Sequence, residues 1–401
     1  MRAMRRARTH RHSVVRALAA ALLSAVPLAA AGSPAVAADS VELPVVRSTL
    51  APDDPCAKAS PRTARSEPWT VRALGLARAS MISQGAGVTV AVVDTGVGTG
   101  IPGLSGRVSA VGGADEDCVG HGSFAAGLIA AARIDGVGPV GVAPGARILA
   151  VRGTDERGVA TAELLADGIR AAADGGAGVI YVGSALATGK SVLTAAVAHA
   201  TERDALVIAP AAPDALPVDR SASGGVVRAE PWYWPAAVPE VLSVTDYGPG
   251  GTRPANAPVV SAVDLAAPGD AVVSVGPKGP GHFLGSGASL AAAHVAGAAA
   301  LVRAQHPDMT AAQVSRQLTV AAYPASPPRL DPYAAMTAVL TGARGTVPRP
   351  APARVITRPS TAPRDRALII AGVGTGLVLL TAAAAVVIPR GKARGWRPAG
   401  E

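Results

Sequence analysis

Three polar residues with complementary chemistry stand in short glycine-rich stretches, in the order Asp, His, Ser. Asp94 follows the apolar run 88–93, His121 has a glycine on either side, and Ser289 lies where a glycine-rich loop enters a small-residue stretch. Each residue alone has an ordinary structural explanation, as a turn cap, a packed imidazole or a helix N-cap. Together they are the side chains of nucleophilic acyl transfer. In that chemistry Ser289 attacks a carbonyl, His121 carries its proton and Asp94 orients the imidazole.

The elements that would position these residues alternate along the chain. Short runs rich in Val and Ile predict buried parallel strands, and the longer alanine-rich segments predict helices. The predicted strands are 88–93, 148–151, 178–182 and 205–208, and the predicted helices are 123–132, 161–173, 191–203 and one opened by a capping box at 310–313. This succession predicts an α/β fold with a parallel sheet and helices on both faces. Sites in such sheets form beyond the carboxyl ends of the strands, where Asp94 stands.

The first 37 residues have the layout of a secretory signal peptide. Residues 1–16 carry six arginines and no acid, residues 17–31 are apolar, and Ala35-Val36-Ala37 has the small residues of a cleavage site. An uncleaved anchor helix is the alternative, against which Pro27 and the short apolar run argue. We expect the body of the protein to be exported.

The segment 367–388 has no charged residue over 22 positions. As a helix it would measure about 33 Å, enough to cross the hydrocarbon core of a bilayer. A buried core helix is the alternative, but basic residues on both sides favour a single transmembrane span. The preceding stretch 342–366 is rich in proline and predicts an extended linker. With a cleaved signal peptide, the body would lie outside the membrane and the basic tail 389–401 in the cytoplasm.

The net charge of +9 lies at the two ends of the chain. Residues 1–16 account for six of the positive charges and residues 390–401 for three, so the body between them is neutral. A neutral body argues against a nucleic-acid partner. Hydrophobic residues make up 49% of the chain and charged ones 16%, which excludes an intrinsically disordered protein.

The chain has two cysteines, Cys56 and Cys118. Outside the cytoplasm such a pair is expected to form a disulfide, with free thiols as the alternative. No C-x-x-C or paired-histidine pattern supports zinc binding. The acidic run 115–117 lacks the spaced oxygen ligands of a calcium site and is interpreted as a solvated loop. We therefore predict no metal and no cofactor.

Around these motifs the sequence resembles the subtilisin-like serine proteases, or subtilases, over about residues 73–341. Besides the stretches around the three polar residues, the similar segments are 141–146, 148–151, 234–237, 241–244 and 264–269. It resembles in particular the mycosin branch, which comprises membrane-anchored subtilases of type VII secretion systems in actinobacteria. The stretches shared with that branch are 68–69, 85–90, 117–118 and 331–335.

The resemblance implies a subtilisin-like fold, cleavage of protein or peptide substrates, and type VII secretion components as partners. It also implies an N-terminal extension that wraps the catalytic domain instead of acting as a cleaved inhibitor. The predicted organisation is a signal peptide (1–37), an N-terminal extension (38–72), a catalytic domain (73–341), a proline-rich linker (342–366), a transmembrane helix (367–388) and a cytoplasmic tail (389–401).

The sequence departs from the subtilase pattern at the oxyanion hole. Subtilases have an asparagine after the strand that corresponds to 205–208, and its side chain donates to the oxyanion. This chain has Asp214 in that region, and its only asparagine is Asn256. Loss of one such donor typically lowers the rate by about 10²–10³, and Asp214 would donate only when protonated. Two hypotheses follow: a membrane-anchored endopeptidase of reduced activity, or a pseudoprotease that serves as a structural part of a secretion complex.

Overall fold

A computed structural model describes residues 41–214, 230–253, 257–258, 260–340 and 362–395. The predicted signal peptide, most of the predicted linker and Asn256 lie outside these residues. The chain divides into two compact units, residues 1–340 and residues 341–401.

The first unit is built on a parallel sheet of seven strands in the order β2-β3-β1-β4-β5-β6-β7. Every neighbouring pair in this sheet runs parallel. The strands are β1 (Thr89–Asp94), β2 (Val108–Val111), β3 (Arg147–Arg152), β4 (Val179–Val182), β5 (Leu206–Pro210), β6 (Leu242–Tyr247) and β7 (Leu265–Pro268). A separate antiparallel hairpin consists of β8 (Val272–Val275) and β9 (His282–Gly285).

Helices cover both faces of this sheet, as the sequence predicts. They are α1 (Trp69–Ala73), α2 (Leu76–Ala79), α3 (His121–Ala130), α4 (Ala162–Asp174), α5 (Lys190–Glu202), α6 (Ala288–Gln305), α7 (Ala311–Val320) and α8 (Pro332–Thr337), with 3₁₀ turns at Pro102–Leu104 and Pro249–Gly251. One face carries α3, α6, α7 and α8, and the opposite face carries α4 and α5. The capping box that the sequence predicts is present at Thr310, the N-cap of α7.

Two hydrophobic cores lie on the two faces because side chains alternate along each strand. In β1, Val90 and Val92 belong to the core under α3 and α6, and Ala91 and Val93 belong to the core under α4 and α5. The central helix α6 is composed mainly of small residues and is buried from its first residue to Val302. Small side chains let this helix lie close to the sheet, which is consistent with an aromatic content of only 3%.

The second unit contains α9 (Ala362–Ala393). Its segment Arg366–Ala393 has 28 residues and contains an 18-residue stretch with a mean hydropathy of 2.2. By length and composition it is long enough and apolar enough to cross a membrane, at about 42 Å. The helix includes the predicted span 367–388 and extends five residues beyond its carboxyl end.

Candidate active site

Asp94 is the last residue of β1, and its buried carboxylate faces the crevice at the carboxyl edge of the sheet. The Thr95 N–H donates to Oδ1 at 2.7 Å, and the Tyr181 hydroxyl donates to Oδ2 at 3.3 Å. Gly183 follows β4 and passes so close that a Cβ there would lie 1.8 Å from Oδ2. Only glycine leaves room for the carboxylate at this point, so the neighbouring strand β4 helps to determine its position.

His121 is the first residue of α3, two residues earlier than the helix start that the sequence predicts. Its Nδ1 lies 2.8 Å from Oδ2 and 3.0 Å from Oδ1 of Asp94. Its Nε2 lies 3.1 Å from the Oγ of Ser289. The imidazole is buried, and its two nitrogens face a carboxylate and a hydroxyl.

Ser289 is the second residue of α6 and only 1% exposed. At a helix N-terminus the first backbone N–H groups have no partner within the helix and favour negative charge. The structure therefore brings together Asp94, His121 and Ser289, which lie on three different elements. This arrangement matches the order carboxylate, imidazole, hydroxyl that acyl transfer requires.

Asp214 lies four residues after the end of β5 and contacts the same serine. Its Oδ1 accepts the Ser289 backbone N–H at 2.9 Å, and its Oδ2 accepts the Ser289 hydroxyl at 2.6 Å. Oδ2 also lies 3.5 Å from Nε2 of His121. The Asp214 carboxyl group thus accepts the hydrogen bond of the Ser289 backbone N–H, a donor that would otherwise be free to bind an oxyanion.

The two carboxylates control the charge of the imidazole between them. Burial by itself lowers the pKa of His121, because a charged ring is poorly solvated there. The charge of Asp94 and then the hydrogen bond and charge of Asp214 outweigh burial and hold the pKa of His121 well above 6.5. His294, also buried but without a carboxylate, has its pKa lowered to about 4 by burial.

Asp117 is a site residue that the sequence analysis missed. The interpretation of 115–117 as a solvated loop is wrong for Asp117, which is 8% exposed. Its Oδ1 accepts from the Thr95 hydroxyl at 2.8 Å and the Gly120 N–H at 2.7 Å. Its Oδ2 accepts from the N–H of Ser123 at 2.9 Å and from the hydroxyl of the same residue at 2.7 Å. Burial raises the pKa of Asp117, and these four hydrogen bonds oppose that shift.

Through these bonds Asp117 joins the turn after Asp94 to the start of α3. The Thr95 hydroxyl in turn accepts the Gly122 N–H at 2.9 Å. Tyr181, which was likewise not predicted as a site residue, is fully buried and supports the other side of Asp94. Burial and the nearby charge of Asp94 raise the pKa of its phenol well above 10, so it remains a neutral donor. The only sequence signal for it is a hydroxyl in an otherwise apolar strand.

The segment 38–72, which the sequence analysis predicts to be an N-terminal extension, is tied to the rest of the first unit close to this site through its described residues. Cys56 and Cys118 are joined by a disulfide, and the Ala57 N–H donates to the Cys118 carbonyl at 2.7 Å. Earlier in the extension, Ser48 and Thr49 line a cleft of about 360 Å³ that also includes His121, Asp94 and Asp214. The extension therefore forms one wall of the cleft that leads to the site.

Within the residues that the structure describes, no three His, Cys, Asp or Glu side chains are gathered in a way that would hold a metal ion. In particular, both carboxylate oxygens of Asp117 are engaged by N–H and O–H donors.

Comparison with known proteins connects this geometry to a family. The sequence model of peptidase S8, the subtilase family, matches residues 85–346, more than half of the chain. The chain is 37% identical over 138 residues to mycosin-1 of Mycobacterium tuberculosis, a segment that covers 31% of this chain and 30% of mycosin-1. The match thus spans less than a third of that relative's length.

Two solved structures extend the similarity over most of the first unit. The MycP3 protease from the type VII (ESX-3) secretion system superposes with a TM-score of 0.61 at 32% identity, covering 74% of this chain and 100% of that one. A chain of an intact ESX-5 inner membrane complex gives a TM-score of 0.61 at 25% identity, covering 87% of this chain and 100% of that one. The similarity to mycosins that the sequence motifs predict is confirmed, and so is the subtilisin-like fold.

Proposed function

The chain belongs to the subtilase family, and from this premise we propose that it is a membrane-anchored serine endopeptidase with Ser289 as nucleophile. His121 is the general base in this proposal, and Asp94 orients the imidazole. The single observation that carries it is the continuous hydrogen-bonded series from the Asp94 carboxylate through both nitrogens of His121 to Ser289 Oγ. His121 and Ser289, which are separated by 168 positions in the sequence, meet within hydrogen-bond distance.

The reaction follows from the roles of these atoms. Ser289 Oγ attacks the carbonyl carbon of a peptide bond, and its proton passes to Nε2 of His121. The tetrahedral intermediate then collapses: the C–N bond breaks, and His121 returns the proton to the departing amine. Water then attacks the resulting ester, His121 takes the proton of the water, and the same proton is returned to Ser289 Oγ as the ester bond breaks. Asp94 stabilises the imidazolium that forms in each half-reaction.

Asp214 stands in the region where subtilases have the oxyanion-binding asparagine, and we assign it to the oxyanion hole with the Ser289 backbone N–H. An ionised carboxylate cannot donate a hydrogen bond, so it stabilises an oxyanion less well than an amide does. We therefore expect slow turnover at neutral pH.

The same proposal includes the location and partners of the protein. The organisation is that of an exported catalytic domain with a disulfide, followed by a linker (342–366), a single span (367–388) and a cytoplasmic tail (389–401). The apolar helix Arg366–Ala393 supports the anchor. Similarity to MycP3 and to a chain of the ESX-5 inner membrane complex supports a role at a type VII secretion machine. Substrates would be proteins or peptides that reach the extracytoplasmic side.

Digestion of denatured casein by the full chain in detergent tests the activity. Wild-type protein should produce internal fragments, and Ser289→Ala should produce none at equal concentration. His199→Ala is a matched control, since His199 lies on the partly exposed side of α5 and bonds only to Asp174 and Arg203. Equal digestion by wild type and Ser289→Ala would refute the assignment of the nucleophile.

A structural role without catalysis is the second candidate function, and one observation favours it. The Asp214 carboxylate accepts both the N–H and the hydroxyl of Ser289, so it competes with His121 for the proton of the nucleophile. A pseudoprotease would digest no casein and would still co-purify with the membrane complex. Loss of that complex on deletion of the gene, with full restoration by Ser289→Ala, would favour this second candidate.

A further inference from the structure

The hydrogen bonds around Ser289 define where its protons lie. When Asp214 is ionised its carboxylate only accepts, and the serine hydroxyl then donates to Asp214 in the short contact of 2.6 Å between Ser289 Oγ and Asp214 Oδ2. The serine oxygen then accepts from Nε2 of His121, which lies 3.1 Å away. Since Nδ1 already donates to Asp94, both ring nitrogens carry protons in this arrangement.

In this arrangement the site is an imidazolium between two carboxylates. Its base is already protonated, and its serine proton points at Asp214 instead of at His121. The raised pKa of His121 agrees with this assignment. Such a site cannot start acyl transfer without a redistribution of protons.

We propose that Asp214 binds the oxyanion as a neutral carboxylic acid, and that the reactive enzyme holds a single proton on the His121–Asp214 pair, with Asp214 protonated and His121 neutral. This inference rests on the proposed function, because it describes the protonation state in which that site works. In this inference residue 214 must be protonated before it can donate to the oxyanion, whereas an asparagine at the same position would donate in any case.

Ser289 can carry the proton between the two partners without any other group. The hydroxyl passes its proton to Asp214 Oδ2 while Oγ receives the proton of His121 Nε2. The result is a neutral imidazole facing a serine hydroxyl, and a carboxylic acid beside the oxyanion site. No proton enters or leaves, so the two arrangements are tautomers of one protonation state.

Asp214 also has room to release the backbone donor. Its carboxyl group borders the substrate cleft of about 360 Å³ and a second cavity of about 240 Å³ on its other side. The second cavity also borders Gly287, where a Cβ would lie 2.1 Å from the Asp214 carboxyl carbon. The carboxyl group can thus move off the Ser289 N–H when a substrate carbonyl arrives, and its O–H can point at that oxygen.

The charges that face Asp214 come from several elements. Nε2 of His121 on α3 lies 3.5 Å from Asp214 Oδ2, and Arg253 borders the second cavity with Asp246 and Asp270. These two carboxylates lie on β6 and in the loop after β7. Burial raises the pKa of Asp246, with smaller contributions in the same direction from Asp214 and Asp270 and an opposing one from Arg253. Proton uptake by Asp214 relieves this mutual repulsion.

Among the residues that the structure describes, two further groups lie near the His121–Asp214 pair. Tyr181 on β4 is neutral, because burial and nearby carboxylates hold its pKa well above 10. Asp94 on β1 contacts the far nitrogen of His121.

The pH dependence follows from counting protons on the pair. At low pH both members are protonated, and His121 cannot act as a base. Above the raised pKa of His121 the last proton leaves, so Asp214 is ionised and repels the oxyanion. The rate should therefore rise and then fall with pH. An asparagine at 214 always donates, so Asp214→Asn needs only a neutral His121, and its rate should rise to a plateau.

The test uses a fluorophosphonate, which reacts without knowledge of the natural substrate. Ser289 Oγ forms a bond to phosphorus, the P–F bond breaks with loss of fluoride, and the serine proton goes to His121. The second-order rate constant is measured from pH 5 to 10 for the full chain in detergent. We expect a bell-shaped profile for wild type. Asp214→Asn should show a plateau at high pH, with a maximum higher by about 10²–10³.

Asp270→Asn is the matched control, since it removes a carboxylate from the same cavity without touching Ser289. It should keep the bell-shaped profile. An alkaline plateau in wild type, or the same profile in wild type and Asp214→Asn, would overturn the inference and leave the proposed function intact. Absence of reaction in both proteins at every pH would overturn both.

A spectroscopic measurement separates the protonation state from catalysis. The ¹⁵N chemical shifts of His121 report its titration, and Asp214→Asn should lower the pKa of His121 because one of the two carboxylates that raise it is gone. An unchanged titration in a folded Asp214→Asn would contradict the inference whatever the rates are.

Discussion

Replacement of Asp117 by asparagine tests whether this buried carboxylate organises the site. Two donors meet at each of its oxygens: a hydroxyl and a backbone N–H in both cases. An asparagine offers one oxygen and one NH₂ group. In one orientation its NH₂ group faces the Thr95 hydroxyl and the Gly120 N–H, and in the other it faces the hydroxyl and the N–H of Ser123. The hydroxyl of that pair can rotate to accept, but the backbone N–H cannot.

One buried N–H is therefore left without an acceptor in either orientation. An unsatisfied buried donor costs about 1–3 kcal/mol, and the loss of charge from the remaining hydrogen bonds adds about 1 kcal/mol. We expect Asp117→Asn to lower the free energy of unfolding by about 2–4 kcal/mol. For a domain of this size that corresponds to a decrease in Tm of roughly 4 °C or more.

The matched control is Asp115→Asn, the same substitution two residues away on an exposed side chain. Thermal unfolding of both variants, followed by tryptophan fluorescence at pH 7, gives the comparison. The control should unfold within about 1 °C of wild type, since surface substitutions usually change stability by less than 0.5 kcal/mol. Equal Tm values for the two variants would refute the reasoning about Asp117.

The remaining predictions concern the support of Asp94, the disulfide and the anchor. Gly183→Ala should displace the Asp94 carboxylate and lower kcat by up to about 10⁴, the effect of losing the orienting acid. Gly103→Ala, where a Cβ meets only ordinary contacts, should leave casein digestion unchanged. Reduction of the disulfide, which closes a loop over 62 residues, should lower stability by about 4 kcal/mol, measured as the denaturant midpoint with and without reductant. A chain that ends at Arg366 should move from the membrane to the soluble fraction on centrifugation, and its retention in the membrane would contradict the proposed anchor.

The sequence predicts the central part of the sheet because its strands are short, apolar and β-branched. β1, β3, β4 and β5 lie within two residues of their predicted ends. The three residues of the proposed triad are also predictable, since each stands at the end or start of such an element. The hairpin β8–β9 was not predicted, because its short strands have no periodic pattern of their own.

Contacts that depend on loops from distant parts of the chain are not predictable in this way. Asp117 has the composition of a surface acid run, and its burial results from four donors that the fold places around it. The position of Asp214 as a replacement for an asparagine is predictable from the resemblance to subtilases. Its contact with both the hydroxyl and the backbone of Ser289 depends on how the loop after β5 meets α6.

The contact between the Asp214 carboxylate and the Ser289 N–H also changes how the two candidate functions relate. An intact series of Asp94, His121 and Ser289 would have no evident use in a purely structural protein. In an enzyme that is always active, a carboxylate that accepts the Ser289 N–H would compete with the oxyanion for this donor. A protease whose site is reactive only in one protonation state of the His121–Asp214 pair accommodates both observations.

The most direct test of the central claim is the site at which a fluorophosphonate attaches to the full chain. After labelling, peptide mapping by mass spectrometry should place the adduct on Ser289 in wild type and, more rapidly, in Asp214→Asn. His121→Ala should abolish labelling in both backgrounds. An adduct on any other residue, or no adduct in any of these proteins across the pH range, would contradict the account and leave a structural role.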